Sequence, residues 1–368
     1  MSTRTAATAS ADGTAPAATR PRRRGTPSPG ADGNRRRTLF YVGALVVLAA
    51  SIALTTPLGV DGVTYGEAAQ SALARLGIGG TPLPGLLDSL LWDLRLPRVL
   101  MAAIVGALLA VSGVTLQTVT GNALAEPYLL GIASGASAGA VAVVVLGLGG
   151  SVVGLTGGAF IGAVASFALL MALLWRKVLR PITIVLTGVV IGQLFSAVSS
   201  LILMSAGDAE ATRSLTHWLL GSLAPSRWEN VVICGAALAV CGGIIWARSG
   251  ALDGLALGSE TATALGIRVN ANRIVFLILT AFLTAAAVAS VGAIGFVGLI
   301  VPHAMRYIVG PGHKALLPAS ALTGAVFLIW TDALARMAFA PQVVPVGVFT
   351  ALIGVPVFLL LLRRRGDI

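Results

Sequence analysis

Fourteen carboxylates, three histidines and two cysteines are the groups of this 368-residue chain best suited to acid–base or metal chemistry. His217, His303 and His313 stand apart at the ends of apolar segments, with no carboxylate or cysteine companion in the local sequence. Cys234 and Cys241 share one apolar segment without the CxxC spacing of a redox or metal pair, so they read as packing thiols. GPGHK at 310–314 lacks the spacing and the Ser/Thr of a GxxxxGK[ST] phosphate loop. The sequence therefore predicts no catalytic group, no metal ligand set and no cofactor held by this chain. What remains is charge in unusual places. Arg95 and Arg98 flank a proline in RLPR, and Arg336 closes TDALAR. A guanidinium stays charged and presents a planar fork to carboxylates. Two uses fit these arginines: an external basic patch for an acidic partner, or local pairing, Arg95 with Asp93 and Arg336 with Asp332 four residues before it.

The elements that carry these residues are membrane helices. Hydrophobic residues make up 56% of the chain and charged residues only 11%, where a soluble domain carries about 25%. The 45 glycines suit closely packed spans. Ten apolar spans are expected, near 39–57, 98–119, 129–149, 152–175, 182–204, 230–247, 273–293, 295–309, 315–335 and 343–362. The eighth is short, holds Gly295, Gly298 and Pro302, and is expected to be broken or tilted. The fold class is all-α.

Orientation follows from charge. Residues 1–37 hold eight arginines and two aspartates, a net +6, in a segment poor in large apolar residues. Residues 1–38 are expected to be a disordered basic tail anchored to anionic lipid on the cytoplasmic side, not a nucleic-acid arm. Residues 39–365 form the membrane domain. The Arg and Lys residues near 176–180, 248–273, 306–314 and 363–365 then lie inside, and both termini are cytoplasmic. Seven of the fourteen acids fall in the outer segments 58–94 and 205–229.

Two further patterns concern transport. In span 182–204, Gly188, Gly192, Ser196, Ser199 and Ser200 recur at three or four residues, as one helix face does, and Gln193 adds an amide. Such a stripe serves either close packing or a polar passage. Gly131, Gly135 and Gly139 form GxxxGxxxG, a packing seam. Loop 248–272 is polar, with apolar residues at helical spacing punctuated by Gly258 and Gly266.

RLPRVLMAAIVGALLAVSGVTLQ, GNALAEPYLLGIASGASAGA, HWLLGSLA, LDGLALGSETATALGIRV, VGAIGFVGLIVPHAMRYIVGPGHKALLPASALTGA, TDALAR and PVGVFTALIGVPVFLLLL occur in that order. Together they resemble the FecCD-type permease subunits of ABC importers for iron siderophores, haem and vitamin B12, over about residues 39–365. The one departure is GNALAEP where that family usually shows NPL. The resemblance implies a ten-helix type II importer permease that forms a homodimer or a heterodimer with a sister permease. It implies two cytoplasmic ATPase subunits, which use the ATP and Mg, and an extracellular substrate-binding lipoprotein. Carried over, Arg95, Arg98 and Arg336 would face glutamates of the binding protein. Loop 248–272 would be the coupling segment, two short helices seated in the ATPase, with Gly258, Glu260, Leu265 and Gly266 as its key residues. The span carrying Gly188, Gly192, Gln193, Ser196, Ser199 and Ser200 would line the translocation pathway. His303, in VPH, would be structural.

The expected function is passage of a ferric siderophore across the bacterial cell membrane, with haem and cobalamin as alternatives. An ion-coupled secondary transporter is the rival reading, but it calls for ionisable groups near the bilayer midplane. Asp332 and Glu126 lie near expected span ends instead.

Overall fold

The computed structural model describes residues 29–147, 150–175, 179–207, 209–338 and 344–365. The tail up to residue 28 lies outside them, as do Arg176 and Lys177. The chain divides into two units, Met1–Leu39 and Phe40–Ile368. The described part of the first unit is helical from Pro29. Proline suits a first helical turn, and Arg35–Arg37 are good helix formers.

Among the described residues every regular element is helical. In chain order they are α1 (Pro29–Thr55), α2 (Tyr65–Arg75), α3 (Gly85–Val119), α4 (Ile132–Leu146), α5 (Gly150–Leu174), α6 (Pro181–Ala206) and α7 (Ala209–Leu219). There follow α8 (Trp228–Ala247), α9 (Ser249–Ala256), α10 (Ser259–Ala264), α11 (Val269–Val291), α12 (Val297–Val309), α13 (His313–Ala338) and α14 (Val346–Arg365). Seven of these are long and apolar enough to cross a membrane, and three shorter apolar helices lie at 132–146, 297–309 and 346–360. Together they account for the ten expected spans. The eighth expected span begins only at Val297, after an irregular stretch. Helix α2 lies in the long segment after α1. Its capping box holds the Glu67 carboxyl below its usual range through the Thr64 N–H and hydroxyl.

Burial sorts the helices. The most apolar window of α3 is 89% buried, against 11% for α1. Helix α3 is therefore the centre of the second unit, and α11, α12 and α13 pack on it. It runs antiparallel to α13: Arg98 meets Asp332, Gly106 meets Gly324, and Thr118 meets His313. At the crossing, a Cβ on Gly106 would strike the Gly324 carbonyl, so only glycine admits this approach. Of the GxxxGxxxG motif, Gly135 and Gly139 pack as expected against Gly162 and Gly158 of α5, whereas Gly131 precedes α4 with φ +76° and lies against Gly188 and Gly192 of α6.

Two π-helical stretches, Leu90–Arg95 and Leu238–Gly242, interrupt α3 and α8. The first prolongs α3 well above the start expected at residue 98 and carries Arg95 at its end.

Candidate functional sites at the two ends of helices α3 and α13

At one end, the Asp332 carboxylate, 1% exposed, collects two arginines. Arg98 donates to it from Nη2 at 2.8 Å and from Nε at 3.1 Å, a forked contact. Arg336, one helical turn beyond Asp332, brings Nε to 3.1 Å of Oδ2 and donates Nη1 and Nη2 to the carbonyls of Leu58 and Thr55. The side chains of Arg98 and Arg336 are 11% and 8% exposed. Arg95 donates Nη2 to the Gly59 carbonyl at 2.8 Å and stays half-exposed. The local Arg336–Asp332 pairing is thus present, Arg98 joins it, and Arg95 bonds backbone rather than Asp93. The three arginines do converge on one region.

At the opposite end, α9 and α10 form the two short helices of the 248–272 loop. Gly258 and Gly266 take φ of +95° and +78°, the left-handed region where other residues are strained. They set the turns before and after α10, leaving Glu260 and Leu265 exposed, Leu265 by 62%. Both helices are fastened to the spans. Arg273 of α11 is buried and donates to Ser259 Oγ at 3.0 Å and to the Leu179 carbonyl at 2.6 Å. Asp253 of α9 accepts from the His313 backbone N–H at 2.9 Å, and its Oδ1 lies 2.7 Å from His313 Nδ1. The sequence reading that His313 lacks a carboxylate companion is thereby corrected: the companion sits 60 residues away.

The stripe on α6 divides in two. Gly188, Gly192 and Ser199 turn to the protein; a Cβ on Gly188 would strike the Leu129 carbonyl, and Ser199 Oγ donates to the Phe195 carbonyl one turn back in its own helix. Gln193, Ser196 and Ser200 are exposed on the other edge. The stripe is wide rather than the single face expected: at about 100° per residue Gly188, Gly192 and Ser199 fall within about 40° of one another, Ser196 lies about 40° beyond Gly192, and Gln193 and Ser200 lie about 100° past Gly192 and Ser199.

One arrangement was not visible in the sequence. Between α11 and α12 the backbone breaks at 292–296, and Phe296, with φ +68°, is the one described non-glycine residue in the left-handed region. The turn after α3 holds this break. Glu126 Oε1 accepts from the Phe296 N–H at 2.7 Å, and the Tyr128 hydroxyl both accepts from the Ile294 N–H and donates to its carbonyl. Glu126 is thus an acceptor at the positive end of α12. The GNALAEP and VGAIGF motifs were each noted, but nothing local joins them across 170 residues.

The chain is a polytopic helical bundle with a fastened pair of short helices at one end. The chain matches the FecCD transport family over residues 47–364, and it belongs to that family. It is 35% identical to the cobalamin import system permease of Halobacterium salinarum, over 91% of this chain and 98% of that protein. It is 35% identical to the Fe(3+)-citrate import system permease of Bacillus subtilis, over 80% and 91% respectively. Among solved structures, a metal-chelate type ABC transporter in an inward-facing conformation superposes with a TM-score of 0.76 at 30% identity, covering 89% of this chain and 99% of that one. The chain is a permease subunit of an ABC importer, a membrane protein and not an enzyme.

Proposed function

We propose that this permease carries a ferric siderophore inward across the cell membrane, delivered by an extracellular binding protein and driven by two separate ATPase subunits. The observation that carries the reading is the likeness, over nearly its whole length, to a metal-chelate type transporter. A chelated ferric ion brings its own ligands, so the pathway needs polar, uncharged contacts rather than metal ligands, and Gln193, Ser196 and Ser200 supply such groups on the open edge of α6. Gly188, Gly192 and Ser199 seat that helix against its neighbours. The permease works as a homodimer or with a sister permease, both termini cytoplasmic, and holds no cofactor; ATP and Mg belong to the ATPase. The exposed Glu260 and Leu265, positioned by Gly258 and Gly266, seat in the ATPase. Arg95, Arg98 and Arg336 face the binding protein, with Arg95 offering the least committed charge. Cobalamin is the second reading, favoured by the Halobacterium relative that spans the chain.

The test is uptake of labelled ferric siderophores, haem and cobalamin in a deletion strain complemented with this gene, with and without a phosphate-loop lysine mutation in the cognate ATPase. Siderophore uptake that vanishes with the ATPase mutation supports the proposal. Cobalamin uptake alone replaces the cargo, and uptake indifferent to the ATPase but abolished by a protonophore refutes the mechanism.

A further inference from the structure

We propose that His313 is the joint through which movement of the short helix α9 enters the two central spans, α3 and α13. The inference rests on reading 248–272 as the ATPase-coupling segment. His313 is 3% exposed, at the first residue of α13. Its ring lies between two partners: Nδ1 is 2.7 Å from Asp253 Oδ1 of α9, and Nε2 is 2.6 Å from Thr118 Oγ1 of α3. An ionised carboxylate has no proton to give, so Nδ1–H donates to Asp253 and, in the neutral ring, Nε2 accepts from the Thr118 hydroxyl. That hydroxyl is also 2.9 Å from the Val114 carbonyl. The His313 backbone N–H donates to the same Asp253 oxygen at 2.9 Å. One side chain thus ties three helices together by short, directional bonds.

Among the described residues, only two side chains of α9 and α10 hydrogen-bond to a span: Asp253 to His313, and Ser259 to Arg273. The second joins α10 to the helix that follows it 14 residues later. The first reaches α13 and, through the ring, α3, the most buried helix. These same two helices carry Arg98 and Asp332 at their far ends. A displacement of α9 drawn through His313 therefore moves a pair of helices already locked at the glycine crossing and at the ion pair. Packed helices of this kind move as rigid bodies rather than deform. His313 acts here as a positioning residue. Asp253 makes a practical handle, because its side chain is 47% exposed and can be cut back without opening a buried cavity.

The experiment uses the complete importer, reconstituted in proteoliposomes with its ATPase and binding protein, and reads uptake per ATP hydrolysed. Asp253→Ala and Thr118→Val are expected to keep hydrolysis while the ratio falls about fivefold or more, the size of an ordinary coupling free energy. The double variant should be no worse than the poorer single one, and Asp253→Asn, which keeps an acceptor oxygen, should stay near wild type. An unchanged ratio in Asp253→Ala, or an Asp253→Asn as impaired as the alanine variant, overturns the joint. Glu260→Cys, tested for cross-linking to the ATPase in the same preparations, separates the two ideas. No cross-link sinks the coupling-segment reading and the joint with it. A normal cross-link with an unchanged ratio sinks the joint alone.

Discussion

Asp332→Asn tests the account of the arginine cluster most directly. The carboxylate is 1% exposed and faces two guanidinium groups that are themselves 11% and 8% exposed. Removing its charge leaves both arginines buried without a counter-ion. Breaking a buried pair from one side costs about 3–5 kcal/mol. The low end applies here, because Asn keeps an oxygen for Arg98 and because Arg336 retains its bonds to the carbonyls of Thr55 and Leu58. About 3 kcal/mol corresponds to roughly a hundredfold in the unfolding equilibrium. Arg95→Gln is the control, since it removes one bond to a backbone carbonyl, worth about 1 kcal/mol. The assay is equilibrium unfolding of the purified permease in mixed micelles by increasing SDS, followed by tryptophan fluorescence. A double variant with Arg98→Gln should be more stable than the sum of the two losses implies, because both changes break one contact. An Asp332→Asn that costs no more than Arg95→Gln would refute the idea that this cluster is held by its own carboxylate. The same geometry governs tests of docking: Arg98→Glu would set two carboxylates together in a buried site, so a change at Arg95 probes binding-protein association more cleanly.

Two other predictions concern the backbone. Gly139→Ala should destabilise by about 1–3 kcal/mol, because its Cβ would strike the Gly158 carbonyl and neither helix backbone can yield cheaply; Gly235→Ala, whose Cβ would make only an ordinary 3.7 Å contact with Ile104, should be neutral or slightly stabilising in the same SDS assay. Glu126→Ala leaves the Phe296 N–H without its acceptor, a loss of about 1–3 kcal/mol, so hydrogen exchange at 293–297 should quicken, whereas Glu126→Gln should exchange at close to the wild-type rate.

What the sequence discloses here is what lies close along the chain. The GxxxGxxxG seam, the Asp332–Arg336 turn and the glycine-punctuated helices α9 and α10 are local patterns, and a 3.6-residue period or a four-residue spacing exposes them. The break before α12 was half visible: Gly295, Gly298 and Pro302 announce an irregular span, but not that Phe296 is the residue in the left-handed region. A left-handed φ on a bulky residue has to be held from outside, and its holder, Glu126, comes from another segment. The α6 stripe shows the opposite failure. Its spacing was read as one face, yet the steps from Gly192 to Ser196 and from Ser199 to Ser200 carry these serines round the helix, away from the glycines and to the edge that holds Gln193.

The long-range bonds share a logic that explains their invisibility. Asp253 with His313, Glu126 with Phe296, and Arg98 with Asp332 join residues 60, 170 and 234 positions apart. In a chain with so few charged side chains, each ionisable group buried within the spans has to find a partner in protein, since the lipid hydrocarbon offers none. The partner is selected by which helix ends come together, and that is decided by the glycine crossings. Gly106 against Gly324 and Gly113 against Gly298 bring α13 and α12 onto α3 at backbone distance. Once that register is set, Arg98 is opposite Asp332 and Thr118 is opposite His313 with no further freedom. The apolar packing thus comes first in the causal order, and the polar pairs at the two ends of α3 and α13 follow from it. Under the proposed function those ends are where a binding protein and an ATPase act, and the glycine crossing is then the rigid link between them.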